Sequence, residues 1–226
     1  MKPEYVYGTD CVLYQSEEMF RMNSDSELLG LFMRLKHRDS VLDIGTNNGV
    51  LLLYASCWKP KHLCGIDLFE EAIDLAARNM AANNAEAELH VSRLQDFRHE
   101  RFDVLVCNPP YFSQSGIMVS ENRYLEAARH DTNLPMEELF ANAVRLMKDT
   151  GRLYIVHRAS RLMDLIMCAS EYRLRPVRLQ IAYEAEGKGA RSVLLEFSFA
   201  RRKEMVIEPP VYLDQRETYP KGCETV

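Results

Sequence analysis

The stretch Val41-Leu42-Asp43-Ile44-Gly45-Thr46-Asn47-Asn48-Gly49 decides the fold. Val41 to Ile44 is a short apolar run around one carboxylate, the pattern of a strand buried on both faces of a parallel sheet. Gly45 and Gly49 bracket a turn where backbone can come close to a ligand, and the apolar Val50 to Cys57 that follows is helix-like. A second strand, Leu63 to Ile66, ends at Asp67. Strand, glycine turn, helix and acid-terminated second strand describe half of a doubly wound site for a ribose-bearing ligand. Helix-terminal amides face the ligand, and the second carboxylate is placed to accept ribose hydroxyls. A dinucleotide would require G-x-G-x-x-G, which this turn lacks, and Asp43 would set negative charge beside a pyrophosphate. A cationic cofactor suits that charge better.

Outward from this unit the chain continues in βα steps. Glu70 to Asn83 carries Ile73, Ala76, Ala77 and Met80 on one helical face, and Leu89 to Val91 is a weaker third strand. Val104 to Cys107 is the fourth strand, ended by Asn108-Pro109-Pro110-Tyr111. The prolines donate nothing to a sheet ladder and hold Asn108 extended at the strand's carboxyl end, where open α/β sheets place their chemistry. A long loop, Phe112 to Asn133, leads to a helix whose face is Met136, Leu139, Phe140, Ala143, Val144 and Met147, closed by Gly151. Leu153 to Val156 is a fifth buried strand, and Leu162, Leu165, Ile166 and Ala169 mark the next helix. Val177, Leu179, Ile181 and Tyr183, then Val193, Leu195, Phe197 and Phe199, alternate with polar residues. That pattern predicts two half-exposed strands paired antiparallel at a sheet edge. Upstream, Ser24-Asp25-Ser26 is read as the cap of a helix beginning at Glu27. The expected organisation is an extension over 1–39 packing on the core, an α/β domain over 40–200 with helices on both faces of a mostly parallel sheet, and a coil-like tail over 201–226.

With 226 residues the chain can bury one full core. A net charge of -5 disfavours non-specific coating of nucleic acid and leaves room for a local basic patch. No apolar run approaches a membrane span, and Met1-Lys2-Pro3-Glu4 lacks a signal-peptide pattern, so a cytoplasmic protein with no membrane partner is expected. The six cysteines are scattered, which predicts reduced thiols and no metal site. His62, His90 and His99 are read as separate surface or structural residues.

Asp43 through Gly49, Asp67 and Asn108-Pro109-Pro110-Tyr111, in this order and spacing, resemble the class I S-adenosylmethionine-dependent methyltransferases that modify exocyclic amino groups. Phe20 to Asp25, Ala128-Arg129-His130 and Gly151 to Arg158 resemble one branch more closely, the bacterial tRNA adenine N6-methyltransferases acting on adenine 37 of the valine tRNA anticodon loop. The resemblance runs over roughly 18–200. It implies a Rossmann-like class I methyltransferase sheet with S-adenosylmethionine held by Asp43, Gly45, Thr46, Asn47, Gly49, Asp67, Leu68, Leu94 and Asn108. It further implies catalysis by Asn108, Pro109, Pro110 and Tyr111, substrate contacts from Arg129, His130 and Arg158, a tRNA partner, and no metal. Two positions depart from the family pattern. Asn47 stands where glycine is commoner, and Ser92-Arg93-Leu94 stands where an acid usually accepts from the cofactor's adenine, so Asp96 or a backbone carbonyl would take that role.

The loops expected at the Asn108 edge carry Arg123, Arg129, His130, His157, Arg158, Arg161, Lys188 and Arg191, but Glu121, Glu126, Asp131, Glu184 and Glu186 are interspersed. The sequence leaves open whether they face phosphates or form ordinary mixed surface. Release-factor glutamine methyltransferases, DNA adenine methyltransferases and a cofactor-binding protein without catalysis are the rival readings. The first two fit less well, because the stretch before Asp43 is short and there is little length for a target-recognition region.

Overall fold

Each central strand divides its side chains between two apolar cores, which is why helices cover both faces of the sheet. The protein is described here by a computed structural model over residues 2–17, 19–109, 134–199 and 204–223. In β3 (Ser40–Ile44), Val41 enters one core while Leu42 and Ile44 enter the other. In β6 (Phe102–Cys107), Val104 and Val106 part in the same way from Leu105 and Cys107. The first core is closed by α1 (Ser24–Phe32) and α2 (Val50–Ser56), the second by α4 (Met136–Leu146) and α5 (Leu162–Glu171). Gly30 lets α1 lie flat on α2, since a β-carbon there would stand 2.1 Å from the Tyr54 ring.

Among the described residues the main sheet has nine strands. From β3 the chain steps outward through β4 (His62–Asp67), α3 (Glu70–Ala82) and β5 (Glu88–Val91), all strands parallel. It then crosses back to β6 on the other side of β3, and β7 (Met147–Arg158) pairs parallel to β6. The reversal of direction between β4 and β6 makes the carboxyl ends of β3, β4 and β6 the topological switch point, where doubly wound sheets bind ligands. A separate pair, β1 (Glu4–Tyr5) and β2 (Val12–Leu13), precedes α1.

Four local expectations are revised. The cap of α1 is Asn23, whose side chain accepts from the Ser26 N–H at 3.0 Å, so the helix starts at Ser24 rather than Glu27. β7 begins at Met147 and runs through Gly151, with a register shift opposite Phe102 and Val104. β8 (Arg175–Tyr183) and β9 (Ala190–Ser198) do pair antiparallel, but β9 inserts between β8 and β7, and the polar residues along their middles are not solvated. Arg178, Gln180, Ser192, Glu196 and Ser198 are all buried. Finally, the segment expected to be coil after Arg201 adds β10 (Val206–Ile207) and β11 (Val211–Tyr212) to the free side of β8, with Val211 fully buried.

Burying that polar face requires every charge on it to be paired. Arg178 Nε donates to Glu196 Oε2 at 3.0 Å and its Nη2 donates to the Phe32 carbonyl at 2.6 Å. The guanidinium also lies 3.7 Å from the centre of the Phe32 ring. Arg178→Ala strands Glu196 without its partner inside the fold, so the unfolding free energy in urea is expected to fall by about 3–5 kcal/mol. The apolar double substitution Arg178→Met with Glu196→Leu is expected to recover most of that loss.

Candidate active site

The turn after β3 is built from residues that tolerate left-handed backbone. Gly45 has φ 73°, Asn47 47° and Gly49 79°. Asparagine is among the few side chains that adopt this conformation readily, so Asn47 keeps the backbone path that glycine would give. Gly45 N and Thr46 N both donate to Ile66 O at 2.9 Å, and Asn47 N donates to Asp67 Oδ2 at 2.8 Å. The Asn47 side chain reaches back to the Phe20 carbonyl at 2.6 Å. A β-carbon added to Gly45 would meet nothing within 4 Å, so this glycine faces open space.

That space is a cavity of about 560 Å³ at the switch point. Its walls come from the carboxyl ends of β3, β4 and β6, from Phe20 to Asn23 before α1, and from Ser92 to Gln95 after β5. Gly45, Thr46, Asn47, Asp67, Leu68, Leu94, Asn108, Pro109 and Arg158 all line it. Asp43 and Gly49 do not. Asp43 is fully buried, with Oδ2 accepting from the Thr46 hydroxyl at 2.8 Å and Oδ1 having no hydrogen-bond partner among the described residues. Gly49 turns away because it begins α2 against α3, where its missing β-carbon would sit 3.2 Å from that of Ala76. Pro110, Tyr111, Arg129 and His130, with all of residues 112–133, where the sequence predicts a loop, lie outside the described residues.

Electrostatics on this edge follow from burial. Burial pushes the Asp43 carboxyl up to about 7 against the pull of the Thr46 bond. Burial also raises Asp67, opposed by backbone bonds from Asn47, Phe69 and Leu68. Of the two, Asp67 reaches the cavity wall, where a cation beside it would favour its charged form. His157 is driven down to about 4 by burial and then by Arg161 and Arg158, so its ring is neutral. Of the expected basic residues, Arg161 pairs with Asp164 at 2.5 Å and Arg191 with Glu184 at 3.0 Å, leaving Arg158 as the one that reaches the cavity wall among those described.

At the end of β6, Asn108 Nδ2 donates to Ser26 Oγ at 2.9 Å, and Ser26 Oγ in turn donates to Asn23 Oδ1 at 3.3 Å. This chain from the first helix fixes the plane of the Asn108 amide. Its Oδ1, like the Pro109 carbonyl, can only accept hydrogen bonds. The sequence reading assigns Ser26 to a cap and gives it no part in the site; the only trace of its role is its place three residues after Asn23. Gln95 was also missed. It lines the cavity, whereas Asp96, one of the two expected acceptors beside a backbone carbonyl, does not.

The wound order, the reversed β9 and the glycine turn beside Asp67 define a Rossmann-like methyltransferase architecture. Solved structures share it: a predicted O-methyltransferase from Agrobacterium tumefaciens has a TM-score of 0.64 at 17% identity over 84% of this chain and 87% of that one. A methyltransferase from Pyrococcus furiosus gives 0.62 at 17% identity over 86% and 91%. A family model described as "Methyltransferase small domain" matches residues 19–171. The tRNA1(Val) (adenine(37)-N6)-methyltransferase of Porphyromonas gingivalis is 32% identical over 190 residues, 78% of this chain and 74% of the relative. Its namesake from Phocaeicola vulgatus is 28% identical over 192 residues, 83% and 81% of the two chains. The chain belongs to the methyltransferase small domain family and, within it, to the tRNA1(Val) (adenine(37)-N6)-methyltransferase branch.

A carboxyl whose folded pKa is raised stabilises the fold only while it is protonated. The Asp43 contribution is thus full below its ordinary value of 3.8 and is lost as pH rises through about 7. Asp43→Asn keeps an acceptor for Thr46 and removes this titration. The variant's urea midpoint is expected to lose the decline between about pH 4 and pH 7 that the parent shows.

Proposed function

We propose that this chain transfers the methyl group of S-adenosylmethionine to the exocyclic N6 of an adenine in a tRNA anticodon loop, adenine 37 of valine tRNA in the first instance. The observation that carries it is the placement of Asn108 and Pro109, at the end of β6, in the same cavity as Asp67 and the glycine turn. The cofactor fits what is there. The volume is within the range of small-molecule sites, Gly45 leaves a cradle that any side chain would fill, and the Asp67 carboxyl in the wall suits a cationic ligand.

Bound there, S-adenosylmethionine supplies an electrophilic sulfonium methyl and leaves as the neutral thioether. Asp67, anchored through Asn47 N and Phe69 N, is the residue to hold the ribose hydroxyls. Gln95 has both the acceptor and the donor that an adenine edge needs. The lone pair of the substrate N6 is delocalised into its ring. Accepting both of its hydrogens on Asn108 Oδ1 and the Pro109 carbonyl turns that lone pair toward the methyl group; once the N–C bond has formed, the methylated and now acidic ammonium loses its proton to water. Fixed acceptors and positioning do this work without a strong base. Tyr111 is assigned the stacking role on the flipped base, and Arg129, His130 and Arg158 the phosphate contacts, on family resemblance. The reading of a cofactor binder without catalysis rested on Asn47 and Arg93. Asn47 adopts the glycine-like backbone and secures Asp67, which supports the catalytic reading instead.

Asn108→Ala is expected to lower kcat on valine tRNA about 10²–10³-fold while calorimetric titration still shows S-adenosylmethionine binding. Bulk tRNA from cells lacking the gene is expected to lose N6-methyladenosine by nucleoside mass spectrometry. Near-normal turnover in the variant, or an unchanged nucleoside profile, ends this reading.

A further inference from the structure

On the far side of the sheet from the cavity openings, β4 and β5 bring together three histidines that the sequence places apart. Glu88, the first residue of β5, meets them on both oxygens: His62 Nε2 lies 3.0 Å and His99 Nε2 3.3 Å from Oε2, and His90 Nε2 lies 2.8 Å from Oε1. The ligand atoms of His62, Glu88 and His99 are all within 4.8 Å of one another. The expectation of isolated surface histidines is therefore corrected. Parallel pairing of β4 with β5 sets Glu88 opposite Cys64, two residues past His62 at the amino end of β4, and His99 comes from the segment before β6.

The spacing of this cluster suits a metal ion. His99 Nδ1 lies 3.1 Å from the Glu100 carbonyl, which turns Nε2 of the same ring toward Glu88. A tetrahedron with centre-to-ligand distances of about 2.0–2.1 Å has edges of about 3.3 Å, close to the spacing of Glu88 Oε2 from each of the two histidines. A ligand histidine whose other nitrogen is tied to a backbone carbonyl is also the usual arrangement around such an ion. The rings are held in place by Phe102, 4.8 Å from His99 and 6.1 Å from His62, and by Phe97, 5.7 Å from His99.

We propose that His62, Glu88 and His99 bind a divalent first-row transition metal, zinc by ligand type, with His90 positioning the carboxylate through its second oxygen. The ion would clip the segment between β5 and β6, whose near end forms the cavity wall at Ser92 to Gln95 and whose far end carries His99. Its role is structural, since the cluster stands at the amino ends of the strands, away from Asn108.

The test uses the full chain, freed of metal with a chelator and titrated with Co2+ and then Zn2+. One equivalent of Co2+ is expected to give visible d–d absorption that Zn2+ abolishes. His62→Ala, Glu88→Gln and His99→Ala are expected to lose it, and His90→Ala to weaken affinity about 10–100-fold. X-ray absorption at the zinc edge of the parent protein, which does not depend on any variant folding, is expected to show imidazole and oxygen ligands at about 2.0 Å. Absence of stoichiometric binding, binding unchanged in His62→Ala and His99→Ala, or a sulfur shell at about 2.3 Å placing the ion on thiols such as Cys11, Cys57 and Cys223 would each overturn the proposal.

Discussion

Three successive backbone N–H groups, those of Gly45, Thr46 and Asn47, find their acceptors at the end of a single neighbouring strand. A turn with left-handed residues at both ends of this stretch offers these donors no partner of its own, and leaving one buried and unpaired costs about 1–3 kcal/mol. β4 supplies two of the bonds with the Ile66 carbonyl and the third with the Asp67 side chain. The turn is thus stapled to β4, and the same carboxylate that holds it also faces the cavity. Shape and charge of the site consequently share one cause, the parallel pairing of β3 with β4.

The N-terminal segment completes what the sheet begins. From α1, Asn23 and Ser26 fix the Asn108 amide, Asp25 accepts from the Ser192 hydroxyl at 2.9 Å, and the Phe32 carbonyl accepts from Arg178. One short helix therefore sets the reacting end of β6 and satisfies the polar face of the last two strands. Upstream of it the chain is held by α3 rather than by a long ladder. Asn79 and Asn83 bond both ways with the backbone of Tyr14 and Val12 at 2.7–2.9 Å. Asparagine amides, which donate and accept, serve here as substitutes for strand partners.

Periodicity made the parallel half of the sheet legible because strands buried on both faces must be apolar throughout, and α3 and α4 begin and end close to where their apolar faces do. It misread β8 and β9. Alternation predicts solvent on one side, whereas Arg178, Gln180 and Glu196 face α1 and the returning C-terminal strands and are paired within the fold. Local pattern reports polarity, and polarity equals exposure only when nothing else packs on that face. Asp43 and Gly49 failed as cavity residues for a related reason: both are dictated by the turn, one beneath it and one behind it.

By itself the sequence determined the fold class, the acid-terminated strands, the glycine turn and the Asn-Pro end of β6, because each is written in contiguous residues with strong conformational preferences. Only the tertiary structure decided that Ser26 steers Asn108, that Gln95 rather than Asp96 reaches the cavity, and that His62, His90 and His99 meet at Glu88. Those contacts join residues far apart in the chain through strand register and helix packing, and no local preference encodes which side chain will stand opposite which.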